Sequence, residues 1–285
     1  MRIDTKRIIF FLIISIGAAH GFGMEFSLKV AGGVSFIDPQ EVNTVLQGWE
    51  GYWTTRADLT QNWTFLGGEV STPKLGYDFE AELIFNFTRR FAIGLSGGYI
   101  FGDVSEKATT LTIEKVLGTF DHVKPTKVSA IPLILSGYYF QPLTSSLSAF
   151  LRAGGGPIWA KYFERDGNKK IENESYSYPQ SISASAQGQI YILGLGVVFE
   201  TESGIRFFAE GMLRKATITG FSGENKQEET GALNYVEEYE PSYELWQAKY
   251  GIFNEPPSGE NYREVKQGTI DLSGFSVKIG IMIKF

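Results

Sequence analysis

The chain of 285 residues has no cysteine, two histidines and ten prolines, and beyond residue 16 no apolar run long enough for a membrane-spanning helix. Without cysteine there is neither a disulfide framework nor a thiol for lipoprotein attachment. Scarce proline leaves room for long uninterrupted strands, since each proline removes a ladder hydrogen bond. A net charge of −6 argues against a phosphate-rich partner held by bulk charge. Mean hydropathy is close to zero. That value fits a soluble protein, and it equally fits strands whose apolar and polar faces cancel in the average.

The N-terminus reads as an export signal. Arg2, Lys6 and Arg7 precede the apolar run Ile8 to Ile16, and small residues follow at Gly17, Ala18, Ala19 and Gly21. Residues 1–23 are therefore assigned as a cleaved signal and 24–285 as one mature domain. Loss of those three cations with Asp4 takes the net charge to −8.

The C-terminal stretch Phe275 to Phe285 reads F-S-V-K-I-G-I-M-I-K-F, with an apolar side chain at every odd position. A period of two places those residues on one face of a strand and Lys278 and Lys284 on the other. Eight segments share such patterning: Glu25 to Phe36, Leu75 to Phe87, Phe91 to Phe101, Lys127 to Phe140, Leu147 to Phe163, Ala184 to Glu200, Ile205 to Phe221, and the last strand after Gln267. Short gaps follow the second, fourth and sixth; long gaps follow the first, third, fifth and seventh. Helical apolar spacing is hard to find. The fold class expected is all-β: an eight-stranded antiparallel transmembrane β-barrel, an up-and-down meander with long surface loops and both termini on the short-turn side. Aromatic residues near the strand ends, among them Phe26, Phe87, Phe140, Phe199, Phe36, Trp159 and Tyr162, suggest two interfacial belts. Pro132 and Pro157 fall inside strands and are expected at bulges or at interior positions beyond the bilayer core.

The signal, the closing strand V-K-I-G-I-M-I-K-F and the tight turns T-R-R and T-E-S-G resemble the OmpA-like and OmpW-like family of small outer-membrane β-barrels of Gram-negative bacteria. The resemblance is one of architecture over the whole mature chain. It implies location in the bacterial outer membrane, with the membrane's lipids and the barrel assembly machinery as partners. In that family the machinery reads the last strand, which here maps to Val277, Ile279, Ile281, Ile283 and Phe285. These positions are aliphatic up to Phe285, where relatives often carry a further aromatic. The peptidoglycan-binding domain that follows the barrel in OmpA itself is not expected after Phe285.

On the polar faces lie Asp78, Glu80, Glu82, Arg152, Arg206, Glu210, Arg214, Lys278 and Lys284, and opposite charges on neighbouring strands are expected to pair into a plug. In the first loop, Trp49, Tyr52, Trp53 and Trp63 form the best candidate contact surface for an extracellular ligand. The last loop, 221–267, carries ten acidic residues against four basic ones, too many tyrosines for a disordered tract, and no calcium-loop spacing. His122 adjoins Asp121 in sequence, but neighbours on a loop do not face one another, and no nucleophile motif accompanies them. Gly194 and Gly196 lack the context of a phosphate loop and are read as packing positions. The function expected is a structural or adhesion-like role through the loops of a monomer with a closed lumen, with no enzyme activity, no cofactor, no metal and no nucleic-acid partner. The alternatives are a narrow channel for small solutes and a membrane-embedded hydrolase.

Overall fold

A computed structural model describes residues 25–72, 74–116, 118–171, 177–202 and 204–285; the expected signal at Met1 to Gly23 lies outside them. In chain order the elements are β1 (Glu25–Ile37), α1 (Gln40–Leu59), β2 (Thr64–Val70), β3 (Leu75–Asn86), β4 (Phe91–Val104), β5 (Thr109–Lys115), β6 (Gly118–Val123), β7 (Thr126–Pro142) and β8 (Leu147–Lys170). There follow β9 (Ser177–Glu200), β10 (Ile205–Lys215), β11 (Thr217–Ile218), β12 (Ser222–Asn225), β13 (Thr230–Glu240), β14 (Leu245–Phe253), β15 (Tyr262–Gln267), β16 (Ile270–Asp271) and β17 (Gly274–Lys284).

Eight of these strands make a closed ring. β1, β3, β4, β7, β8, β9, β10 and β17 pair in that order, each antiparallel to the next. β17 returns to β1, from Ser27 opposite Lys284 to Ile37 opposite Gly274. Closure leaves the ring no unpaired edge, which is the condition for crossing hydrocarbon with strands. Alternation then sorts the side chains. On β17, Val277, Ile279 and Ile281 face outward while Ser276, Lys278 and Met282 are buried in the lumen. Tyr77 and Phe79 on β3, Leu133 and Leu135 on β7, and Leu193 and Leu195 on β9 continue the outer belt. Ile279 is 68% exposed and Leu195 62%. An apolar surface running around a whole ring exceeds what a soluble monomer presents to water. The fold is a transmembrane β-barrel.

Inside, the lumen is filled in layers. Toward the short turns, Ile84, Tyr138, Phe150, Phe208 and Met282 pack together. Toward the long loops a larger cluster begins with Ile100, Ile134, Ile190 and Met212 and continues upward into loop residues. Charged side chains lie between the two. Gly196 of β9 leaves room for the ring of Phe150, its partner on the neighbouring β8, because a β-carbon there would sit 2.3 Å from that ring. The packing expected at Gly194 and Gly196 is thus inside the barrel.

Several details differ from the sequence reading. Pro132 points into the lumen, and the register of β7 against both neighbours is the same on either side of it, so the strand carries missing rungs in place of a bulge. Phe140 packs inward and Tyr162 is fully buried, so neither joins an outer aromatic belt; Phe26 is also covered, edge-on against Phe85. The long gap expected after Phe163 is a continuation of the β8–β9 hairpin beyond the belt, paired as far as Asp166 with Gln180 and again, past an irregularity, at Asn168 with Ser177.

The long loops are themselves a folded cap. β6, β5 and β2 extend from the outer part of β8, while β12, β13 and β14 extend from β9, with β15 along β13. α1 sits against this cap. Val42, Val45, Leu46 and Trp49 recur at helical spacing and are buried against residues such as Tyr162, Leu233 and Ile252. Glu41 in the first turn and Arg56 in the last suit the helix dipole. Gly48 brings the helix close to β14, where an added β-carbon would lie 2.9 Å from that of Ala248. Glu41 also accepts from the Thr269 amide at 2.7 Å and pairs with Lys266 at 3.0 Å, tying the helix to the chain just before β16.

Candidate functional site

Two places concentrate polar chemistry: the middle of the lumen and the cap above it. In the lumen, the inward faces of β1, β3, β8, β10 and β17 bring four cations to four carboxylates. Lys29 Nζ donates to Glu210 Oε2 at 2.8 Å, Glu80 Oε1 at 3.2 Å and Glu82 Oε2 at 3.3 Å. It also lies 3.2 Å from the Tyr138 hydroxyl, which donates to Glu82 at 2.6 Å. Arg152 donates to Glu80 at 2.8 Å and to the hydroxyls of Ser136 at 3.0 Å and Ser96 at 3.2 Å, and lies 3.2 Å from Glu82. Lys278 bridges Asp78 at 3.0 Å and Glu80 at 3.1 Å. Arg214 joins Asp78 at 3.2 Å, Ser35 at 2.7 Å and the Leu272 carbonyl at 2.7 Å.

Lys29 and Arg152 have no exposed surface. Charges so enclosed persist only when paired, and removal of one partner leaves the other uncompensated. The match of four with four meets that condition, although Glu82 Oε1 and Glu210 Oε1 find no hydrogen-bond donor among the described residues. Inward glycines give the carboxylates space: a β-carbon at Gly94 would fall on Glu82, and one at Gly194 would fall 2.5 Å from Glu210. The void beside Asp78, Ser96, Ile134 and Lys278 measures about 10 Å³, room for one water at most.

Seven of the nine charged residues singled out from the sequence meet here: Asp78, Glu80, Glu82, Arg152, Glu210, Arg214 and Lys278. The other two do not. Arg206 pairs with Glu200 at 3.0 Å and Lys284 with Glu25 at 2.7 Å, both at the short-turn rim. Their strands reach the ring's end there, and the partners are partly exposed. Lys29, the hub of the network, was missed; its signal is its parity with Ser27, Ala31 and Ser35 on β1, all of which are buried.

In the cap, the four aromatic residues proposed as a contact surface split. Trp49 is 1% exposed and belongs to the core under α1, its indole N–H donating to Asp166 at 3.1 Å. It is not a surface contact, because helical spacing turns it inward with Val45 and Leu46. Tyr52, Trp53 and Trp63 are half-buried and gather around the Arg56 guanidinium, whose centre lies 5.1 to 5.6 Å from each ring. His122 on β6 stacks on Trp53 with ring centres 3.7 Å apart and accepts from Lys115 Nζ at 2.9 Å through Nε2. Asp121 turns to the opposite face, where Thr112 donates to it at 2.8 Å. The adjacent pair therefore does not converge. Among the described residues no group of histidine and acidic side chains is arranged to hold a metal.

No protein-family model matches the chain. No curated protein matches it in sequence. Among solved structures, it is similar to the outer membrane protein OprG from Pseudomonas aeruginosa at 10% identity and a TM-score of 0.42, over 92% of this chain and 95% of that one. It is similar to a major outer membrane protein from Thermus thermophilus at 10% identity and a TM-score of 0.40, over 92% of this chain and all of that one. Neither comparison singles out the OmpA-like or OmpW-like family, and likeness this distant is silent about activity.

Proposed function

We propose that this chain is an integral outer-membrane barrel that does not conduct, and that it acts through its folded cap as a structural or surface-contact protein. The observation that carries this reading is the balanced set of buried ion pairs across the lumen, with apolar layers below and above it. A path for solutes would need those pairs separated and the core under α1 opened together. The apolar belt supports a bilayer location, and the long-loop end, built as a cap with partly exposed aromatic groups, supports an outward-facing surface. The termini and short turns then face the periplasm.

The test is electrical. Purified barrel reconstituted in planar bilayers should give no steady conductance steps. Regular steps that change with Arg152→Ala would favour the narrow-channel alternative and overturn the closed-lumen reading.

A further inference from the structure

The cap contains a pocket of about 300 Å³ whose wall includes Tyr52, Trp53, Arg56 and His122, at the lower end of the size of small-molecule sites. Three buried nitrogens on that wall find no acceptor among the described residues: Arg56 Nε, Trp53 Nε1 and His122 Nδ1. Because His122 Nε2 accepts from Lys115, the imidazole hydrogen resides on Nδ1. All three unmet groups are therefore donors. Buried donors without acceptors are uncommon and costly, and several sharing one cavity mark a place built for acceptor atoms that the chain does not supply.

The charge is unmet in the same way. Arg56 is enclosed by Tyr52, Trp53, Trp63 and Tyr243, and Lys115 by Trp53, Trp63 and Phe120. Neither has a carboxylate within ion-pair distance among the described residues, whereas Lys124 holds Glu164 at 2.7 Å and Lys249 holds Glu238. Burial and the neighbouring Arg56 pull the Lys115 ammonium down to about 8, as expected of a cation short of counter-charge. The rest of the lining is largely polar and carries Glu164, Asp166, Asn168 and Gln180 together with the paired Lys124 and Lys249. Those groups suit hydroxyls more than a second negative charge.

We infer that this pocket binds a small hydroxylated oxyanion, a sugar acid or sugar phosphate, with its carboxylate or phosphate on Arg56 and the His122 Nδ1–H, its ring against Trp53, and Lys115 adding positive charge from the far nitrogen of His122. Arg56 offers the planar fork that matches such oxyanions, and aromatic faces pack on the apolar face of a sugar. The inference deepens the surface-contact reading by naming a ligand class. Its test uses purified protein in detergent, so that failure removes the site and leaves the closed barrel standing.

Tryptophan emission would be followed during titration with glucuronate, glucose 6-phosphate and, as the neutral comparison, glucose. At least one acid should saturate the signal and bind about tenfold or more tighter than glucose, and Arg56→Gln should weaken it by about tenfold or more. Because Arg56 also packs on four rings, an independent measurement keeps the wild-type protein: acetylation of Lys115, read by mass spectrometry near pH 8, should slow when the acid is present. Equal binding of glucose, no saturation by about 10 mM of either acid, or unchanged Lys115 acetylation at saturating ligand would overturn the assignment.

Discussion

Replacing Lys29 by methionine tests the lumen network at its hub. The change keeps the unbranched stem, one atom shorter, and removes a charge that lies within 3.3 Å of Glu80, Glu82 and Glu210. Three carboxylates are then left to Arg152, 3.5 Å from Glu210, and to Lys278, which is shared with Asp78. Attraction between unit charges at such distances is about 5 kcal/mol per pair at an effective dielectric near 20, most of it offset by desolvation. What remains when one partner is lost from a buried pair is a cost of roughly 3–5 kcal/mol. Lys29→Met should thus lower the midpoint of urea unfolding in detergent, followed by the gel mobility that separates folded from unfolded barrel. The double variant Lys29→Met with Glu210→Gln restores equal numbers of cations and carboxylates, three of each, and should recover at least half of the loss. A single variant within about 1 kcal/mol of wild type, or a double variant no better than the single, would refute the account of the network as a balanced plug.

Three further outcomes are expected. Ile279→Arg, on the lipid face near mid-strand, should cost about 2–4 kcal/mol in lipid vesicles, and an unchanged unfolding midpoint would show that this face does not meet hydrocarbon. Trp49→Ala removes the largest buried side chain of α1 and the donor to Asp166, a loss of about 3–5 kcal/mol confined to the cap. Limited proteolysis should then cut within 38–72 while the closed ladder and the lower core layer keep the barrel's folded mobility, and loss of that mobility would show that the upper core shared with the cap holds the barrel as well. Burial, then Lys115 and Arg56, hold the His122 imidazole down to about 3, against an ordinary value near 6.5. Between those values the unfolded chain binds more protons, so the cap should lose stability as pH falls from about 6.5 toward 3. Asp166, raised by its burial, acts in the opposite sense at the acid end, so the slope is read as the difference between wild type and His122→Gln; equal slopes would refute it.

The period-two strands were legible because one solvent acts on all of them. Hydrocarbon touches the ring at every stave, so Phe79, Leu135, Leu195 and Ile279 obey the same alternation whatever lies next to them. The same alternation assigns their neighbours to the inward face, and seven of the charges found in the lumen carry that parity. Lys29 escaped because β1 shows its alternation weakly. Glycines at 32 and 33 leave both faces short of side chains, and the lysine stands between Leu28 and Val30, where it reads as an isolated charge in an apolar run.

The cap was illegible for the complementary reason. No single solvent patterns it: β13 turns Leu233 and Tyr235 into one core, with Tyr235 against Tyr250 of β14 and Lys266 of β15, and buries Val236 as well. Each residue answers to a different neighbour, so neither strand nor helix periodicity runs long enough to stand out, and only Val42, Val45, Leu46 and Trp49 hint at α1. The excess of tyrosine and tryptophan in the two longest loops was the usable signal, and its meaning was packing first. A core assembled from such mixed side chains leaves polar groups at its margins that only some acceptor can complete. Three of those groups, Arg56 Nε, Trp53 Nε1 and His122 Nδ1, are donors on the wall of one pocket. A surface that merely met water would have no reason to gather them in one cavity.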